Sequence, residues 1–584
     1  MRMSRPVLGS LILFALVSAC GEAEKKPPSL ERLIVEPADL MVTVVNDVAV
    51  VQDYTVLATY SDGKVDDVTE FARLSLRDEQ YGAFTGAKLS VSGQGAGPTR
   101  VLATLETATG ETGLTVYVKK QLVDGDVPGG TPNDFDNAKE DPTLAPTIRY
   151  PADKILVPPN IGQFDVHWTA TGASVFEMRM SNDFIDIRRY TKGIQDAANP
   201  QPYWALFQVA EWSPIASTKQ QLKLSVAGMN PAMPGKKGTA AQQVVDVTNE
   251  NTRGGIYYWA TTNPATIMRY DVAKPTVAPS RMFGTGQVPD ANGTTGNACH
   301  GCHTLSKDGT KLAMTLDGGN GRGTALTVAN RQVTIAVDTN TRWNFATFSP
   351  DGNKLLTVYG GVMSIRDTAG GTVRGTLTNS TGKYATHPEI SPDGTKLVNA
   401  ECTGGYEAEA SGCGLVIRTL NLATNTAGEL QTLVPYAAGA EAYYPSFSPD
   451  GAWIAFTRSA GGTYNITSAE TWLVKADGTG TPIKLAAADK DQAGRTNSWA
   501  RWVPFGQTFG PSSEPMFYLT FSSVRPFGVR LPSGGRPQIW MTPIFPARAA
   551  AGLDPSGPPF RVPFQDLATG NHIAQWTQAI IGGN

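Results

Sequence analysis

Apolar and polar residues alternate in short runs along most of this chain. "VLATL" at 101–105 and "LTVYV" at 114–118 place every second residue on one face, as in strands with one side buried. The alternation recurs in "FDVHWTA" (164–170), "VFEMRMS" (175–181) and "QLKLSVAG" (221–228). Turn residues separate the runs, as in "YSDGK" (60–64) and "GQGAG" (93–97). The expectation is an all-β chain with one β-sandwich over 30–119 and a second over 148–250. A linker over 120–147 joins them, carrying the Pro-, Gly- and Asp-rich "DGDVPGGTPNDFDNAKEDPTLAPT" (124–147). Its aspartates lack the spacing of an EF-hand loop, so they predict a solvated linker and not a calcium site.

From 252 to 584 the pattern becomes a repeat. Ser306-Lys307-Asp308-Gly309, Ser349-Pro350-Asp351-Gly352, Ser391-Pro392-Asp393-Gly394 and Ser448-Pro449-Asp450-Gly451 start 43, 42 and 57 residues apart. The first two intervals suit a four-stranded propeller blade of about 40–45 residues, and the third leaves room for an insertion. Each marker leads into an apolar strand: "KLAMTL", "KLLTVY", "KLVNAE" and "WIAFTR". Pro presets φ, Gly supplies positive φ and Asp caps the turn, so these aspartates read as structural. A worn copy, "SWARWVPFG" (498–506), gives a further blade. "GIYYWATTNPATIMRYDV" (255–272) opens another that lacks an inner strand, and "NHIAQWT" (571–577) can supply it, closing six blades into a ring.

These markers, with "YYPSFSPDGAWIAFT" (443–457) the nearest copy, resemble the TolB-like propeller repeat, also called PD40 or WD40-like. The pieces "LIVEPADLMV", "ATYSDGKVDDVTEFA", "GQGAGPTRVLATL" and "TGLTVYV", in that order, resemble the bacterial Ig-like Big2 domain. That resemblance implies adhesion or spacing and carries over no catalytic residue. For the second sandwich, an Ig-like or fibronectin-like module follows from strand pattern alone. His167, in one of its strands, reads as a packed or surface residue.

Net charge is −3, so no basic field points to nucleic acid. Arg2 and Arg5 precede the apolar "VLGSLILFALVSA", too short for a membrane span. Residues 1–19 thus read as a signal peptide. The ending Val17-Ser18-Ala19-Cys20 resembles a bacterial lipobox, which implies lipidation at Cys20, a tether over 20–29 and anchoring to a bilayer in the cell envelope. Gly21 after the cysteine implies the outer membrane, by analogy with enteric lipoprotein sorting.

The chemistry concentrates in Cys299-His300-Gly301-Cys302-His303. Two thiols three apart can reach both vinyl groups on one haem edge, and the following His lies under the iron. The reading is one covalent haem c, with Cys299 and Cys302 as attachment points and His303 as axial ligand at residues 299–303. A zinc site would want a second Cys or His pair, and a Cys299–Cys302 redox pair would want a βαβ setting. For the sixth ligand, His387 and His572 are the alternatives beside an open site. Met314 reads as core and His300 as a bystander. With Cys20, Cys299 and Cys302 so assigned, Cys402 and Cys413 remain of five cysteines, and an exported chain would let them form a disulfide.

The expected function is electron transfer or haem-based sensing by an anchored monohaem cytochrome, with a redox partner or envelope protein docking on the propeller. The alternatives are a haem enzyme of peroxidase or oxidase type and a TolB-like binding protein with a structural haem. No nucleophile elbow or phosphate loop is found, and "GGNGRG" (318–323) reads as a hairpin loop.

Overall fold

The computed structural model describes residues 28–196, 199–261, 266–282, 300–316, 320–463, 466–490 and 496–581. Cys20, Cys299 and positions 318 and 319 of the 318–323 loop lie outside them. Among the described residues no helix is long and apolar enough to cross a membrane.

The N-terminal sandwich is built on the strand Ala108–Val123, whose Leu114, Val116 and Val118 are buried while their neighbours are not. This strand pairs antiparallel with Gly97–Leu105 and parallel with Leu40–Val45. It then runs on beyond the first sandwich. From Val118 to Val123 it pairs in parallel with Ile185–Thr191 of the second. One sheet therefore passes through both modules. The stretch 124–147 is packed rather than free: its helix Thr131–Asn137 buries Phe135 completely, 5.6 Å from the Tyr190 ring. Asp124 pairs with Arg189 at 2.7 Å and Asp141 with Lys236 at 3.1 Å.

The C-terminal unit is a six-bladed propeller, each blade an antiparallel sheet of four or five strands. The innermost strands are Asn571–Thr577 for blade 1, then His300–Leu305, Phe345–Phe348, Tyr384–Ile390, Glu441–Phe447 and Ser498–Trp502 for blades 2 to 6. Each touches the next, and the last touches the first, so the ring is closed. Closure comes from the C-terminal strand, which pairs with Gly255–Ala260 in the register Gly255↔Thr577 to Ala260↔Asn571.

The four Ser-x-Asp-Gly turns share one hydrogen-bond scheme. In the first, Ser306 donates to Asp308 at 2.6 Å and accepts from the Lys311 amide at 2.9 Å, while Gly309 sits at φ 78°. Thr310 N donates to Asp308 at 3.0 Å. The aspartate is thus spent inside its own turn.

Candidate functional site: the propeller axis

Five of the six inner strands carry a β-bulge at the same place. Two residues face one on the neighbouring strand at Cys302–His303, His387–Pro388, Tyr444–Pro445, Trp499–Ala500 and Ile573–Ala574. The first of each pair has left-handed φ: 42° at Cys302, 50° at His387, 49° at Tyr444, 59° at Trp499 and 53° at Ile573. Non-glycine residues rarely accept this, and a bulge re-aims a side chain. Here the bulge turns the first residue toward the axis.

The rings that meet there show the result. His387 lies 4.0 Å from Tyr444, Tyr444 stacks on Trp499 at 3.7 Å, and Phe345 lies 4.5 Å from His387. Phe345 and Trp499, from blades across the ring from each other, are 5.9 Å apart. The axis is therefore plugged by aromatic rings, and Cys302, partly buried, packs against the same cluster. His387 thus occupies in blade 4 the place that Cys302 occupies in blade 2, with His303 one place further on.

A loop covers the plug on the side where the inner strands begin. Cys402 and Cys413 form a disulfide at its base. The loop reaches several blades: the Tyr406 carbonyl accepts from Asn344 and, at 3.0 Å, from Thr386, and the Ala408 carbonyl accepts from the Tyr444 hydroxyl at 3.2 Å.

His303 is 3% exposed. Its Nε2 faces the Tyr257 carbonyl at 3.4 Å, at the long end of hydrogen bonding, and Nδ1 has no partner. Burial pushes its pKa down to about 4. Burial, helped by His303, pushes His572 down to about 3. His387 is held well below the ordinary range by burial and by Arg501, and neither of its ring nitrogens has a hydrogen-bond partner. Met314 is fully buried core, and His167 is buried far from the axis against Phe527, ring to ring at 4.4 Å. His300 opens the blade 2 strand; its side chain, like all of Cys299, lies outside the described residues.

This donor set suits a haem in its chemistry. Uncharged imidazole is the form that binds iron, and burial keeps His303, His387 and His572 uncharged. Among the described residues, no three His, Cys, Asp or Glu side chains stand together. A haem needs only one or two protein ligands.

On the far side of the plug, the inner strands end in a polar ring. Thr304, Thr347, Glu389, Ser446, Arg501 and Gln575 line a cavity of about 210 Å³ with Lys307 at its rim. Sequence reasoning missed this ring. Aligning the six strands on the repeated Ser, two residues back, would have exposed it.

The fold and axis thus define a six-bladed propeller with a plugged channel, carried on two linked sandwiches. No protein-family model matches the chain, and no curated protein does. Among solved structures it is similar to a putative TolB from Agrobacterium tumefaciens, with 16% identity, TM-score 0.31, and 53% of this chain and 89% of that one covered. It is also similar to TolB from Acinetobacter baumannii, with 15% identity, TM-score 0.28, and 70% and 94% covered. Hydrazine synthase from Kuenenia stuttgartiensis is similar at 15% identity and TM-score 0.25, with 43% and 78% covered. The blade count rests on the chain's own sheets and not on these likenesses.

Proposed function

We propose that this protein is an exported, lipid-anchored monohaem c-type cytochrome whose propeller holds the haem-attachment motif on a rigid rim and offers a docking face to a redox or envelope partner. The observation that carries the reading is that the last two residues of the Cys-x-x-Cys-His run, Cys302 and His303, form the bulge pair of blade 2, with His303 uncharged. Cys299 and Cys302 would hold the haem covalently, and His303 would ligate the iron. Bound haem supplies a one-electron carrier whose potential follows its axial ligands and burial. His303 would have to give up its long contact with the Tyr257 carbonyl, a weak bond and easily exchanged. Of the two further imidazoles, His572 is favoured as second ligand because it lies in the field of His303, whereas His387 is enclosed by Phe345, Tyr444 and Trp499. The aromatic plug and the 403–412 loop would keep bulk water from the axis. The sandwiches act as a spacer from the bilayer, to which Cys20 would be joined by lipid.

The test is protein made with haem-maturation machinery. Wild type should stain for covalent haem on a denaturing gel, and Cys299→Ser with Cys302→Ser should not; staining that persists in the double variant overturns the proposal. Ferric wild type should be low-spin, and His572→Ala should make it high-spin and open to carbon monoxide when reduced. Wild type that is already high-spin and binds carbon monoxide at once would favour the haem-enzyme reading.

A further inference from the structure

The cavity at the turn-side end of the axis is not used by the haem reading, from which the aromatic plug separates it. Three charged side chains face it or its rim: Lys307, Glu389 and Arg501. Each feels Glu389 or is felt by it, so they share one field. Yet no ion pair joins any two of them. The Lys307 ammonium donates to no described protein group and the Glu389 carboxylate accepts from none, while Arg501 spends Nη1 on the Ala500 carbonyl at 2.9 Å and its buried Nε has no partner. Charges drawn in from water without pairing are costly, and a fold retains them where something else completes them. A comparable lysine at the outer strands, Lys354, is paired with Asp367 at 2.6 Å.

We propose that this cavity binds a small zwitterion of the α-amino-acid class, its carboxylate between Lys307 and Arg501 and its ammonium at Glu389. A simple anion would leave Glu389 unmatched, and a simple cation would meet two like charges. A zwitterion satisfies all three. The volume, about 210 Å³, is below the ~300–1,000 Å³ of sites for drug-sized ligands, which restricts the ligand to metabolite size. Phe348, Phe447 and Trp576 supply apolar wall, so an aliphatic side chain suits the site better than a charged one.

The probe is L-leucine, titrated calorimetrically into the full-length protein, beside 4-methylpentanoate, which lacks the amine, and isopentylamine, which lacks the carboxylate. Leucine should bind saturably, and each truncated analogue about tenfold more weakly or worse, the cost of one unmatched charged contact. Glu389→Gln, of the same shape, should abolish the preference for leucine over 4-methylpentanoate. Lys307→Met, at a partly buried side chain with no hydrogen-bonded protein partner, should weaken leucine by a similar factor. Absence of saturable leucine binding to wild type overturns the proposal. So does equal binding of leucine and 4-methylpentanoate, which would make the cavity an anion site only, and so does a preference left intact in Glu389→Gln. None of these outcomes depends on whether haem is attached.

Discussion

Single side chains decide two things here: the shape of the turns and the aim of the bulges. Asp393 accepts from the Thr395 amide at 3.1 Å and the Thr395 hydroxyl at 2.7 Å, besides the Ser391 hydroxyl. The Ser391 bond, then those of Thr395, hold its carboxyl down at about 2. Because the folded value is depressed, its stabilisation is complete above the ordinary value near 3.9 and is lost as pH falls toward 2. Asp393→Asn keeps one acceptor oxygen and loses the charge together with the second oxygen, which accepts from the Thr395 hydroxyl. The variant should be less stable than wild type by about 1 kcal/mol at neutral pH, a modest figure for an exposed turn. Urea melts should show that gap closing by about pH 2; an equal gap at both pH values would refute the assignment. These turns were legible in the sequence because their bonds are local, within five residues of the Ser. The bulges were not. Left-handed φ usually advertises itself as Gly, but here Cys302, His387, Tyr444, Trp499 and Ile573 adopt it, held by the sheet around them.

At the scale of elements, the C-terminal strand does most for the ring. Its Trp576 is 9% exposed and donates to the Thr520 hydroxyl of blade 6 at 3.0 Å, while its backbone completes blade 1. Deleting 571–584 removes that strand and leaves Gly255–Ala260 with an unpaired edge. Trp576→Ala should cost about 3–5 kcal/mol by leaving a cavity. The deletion should cost more, seen as a lower melting temperature and protease cleavage within blade 1. A truncated protein that melts with wild type would show the ring closing elsewhere. The blade count and this closure could be read because apolar strands recur at fixed distance from a turn marker. The loop between Cys402 and Cys413 could be read only as an insertion. What it covers depends on Asn344, Thr386 and Tyr444, 20 to 62 positions away along the chain, and no local pattern reports that. The same holds for 124–147. Its composition is that of a linker, yet the buried Val127, Phe135 and Leu144 seat it.

Across the whole molecule, composition and periodicity separate three modules, but packing joins them. The strand Ala108–Val123 belongs to both sandwiches. The second sandwich in turn shares a hydrophobic core with blades 1, 5 and 6, extending from Leu33 to Trp576. The Tyr518 hydroxyl of blade 6 donates to the Leu156 carbonyl at 3.2 Å, Asn160 donates to the Thr252 and Val272 carbonyls, and Arg530 lies over Trp204 at 4.8 Å. Phe527 sits at the centre of this junction, 2% exposed, 4.8 Å from the Tyr150 ring and 4.4 Å from His167. Interfaces between domains of one chain are usually small and polar, and such domains melt separately. An apolar junction continuous with both cores has the opposite consequence: sandwich and propeller should unfold together. Calorimetry of the mature chain should give one main transition, with Phe527→Ala lowering it by an amount equivalent to about 3–5 kcal/mol. The variant should also broaden or split the transition, because the lost ring couples the two units. Two well-separated transitions in wild type, or a Phe527→Ala change confined to one of them, would mean that the sandwiches are a detachable spacer. Any rigidity of the axis would then come from the propeller alone.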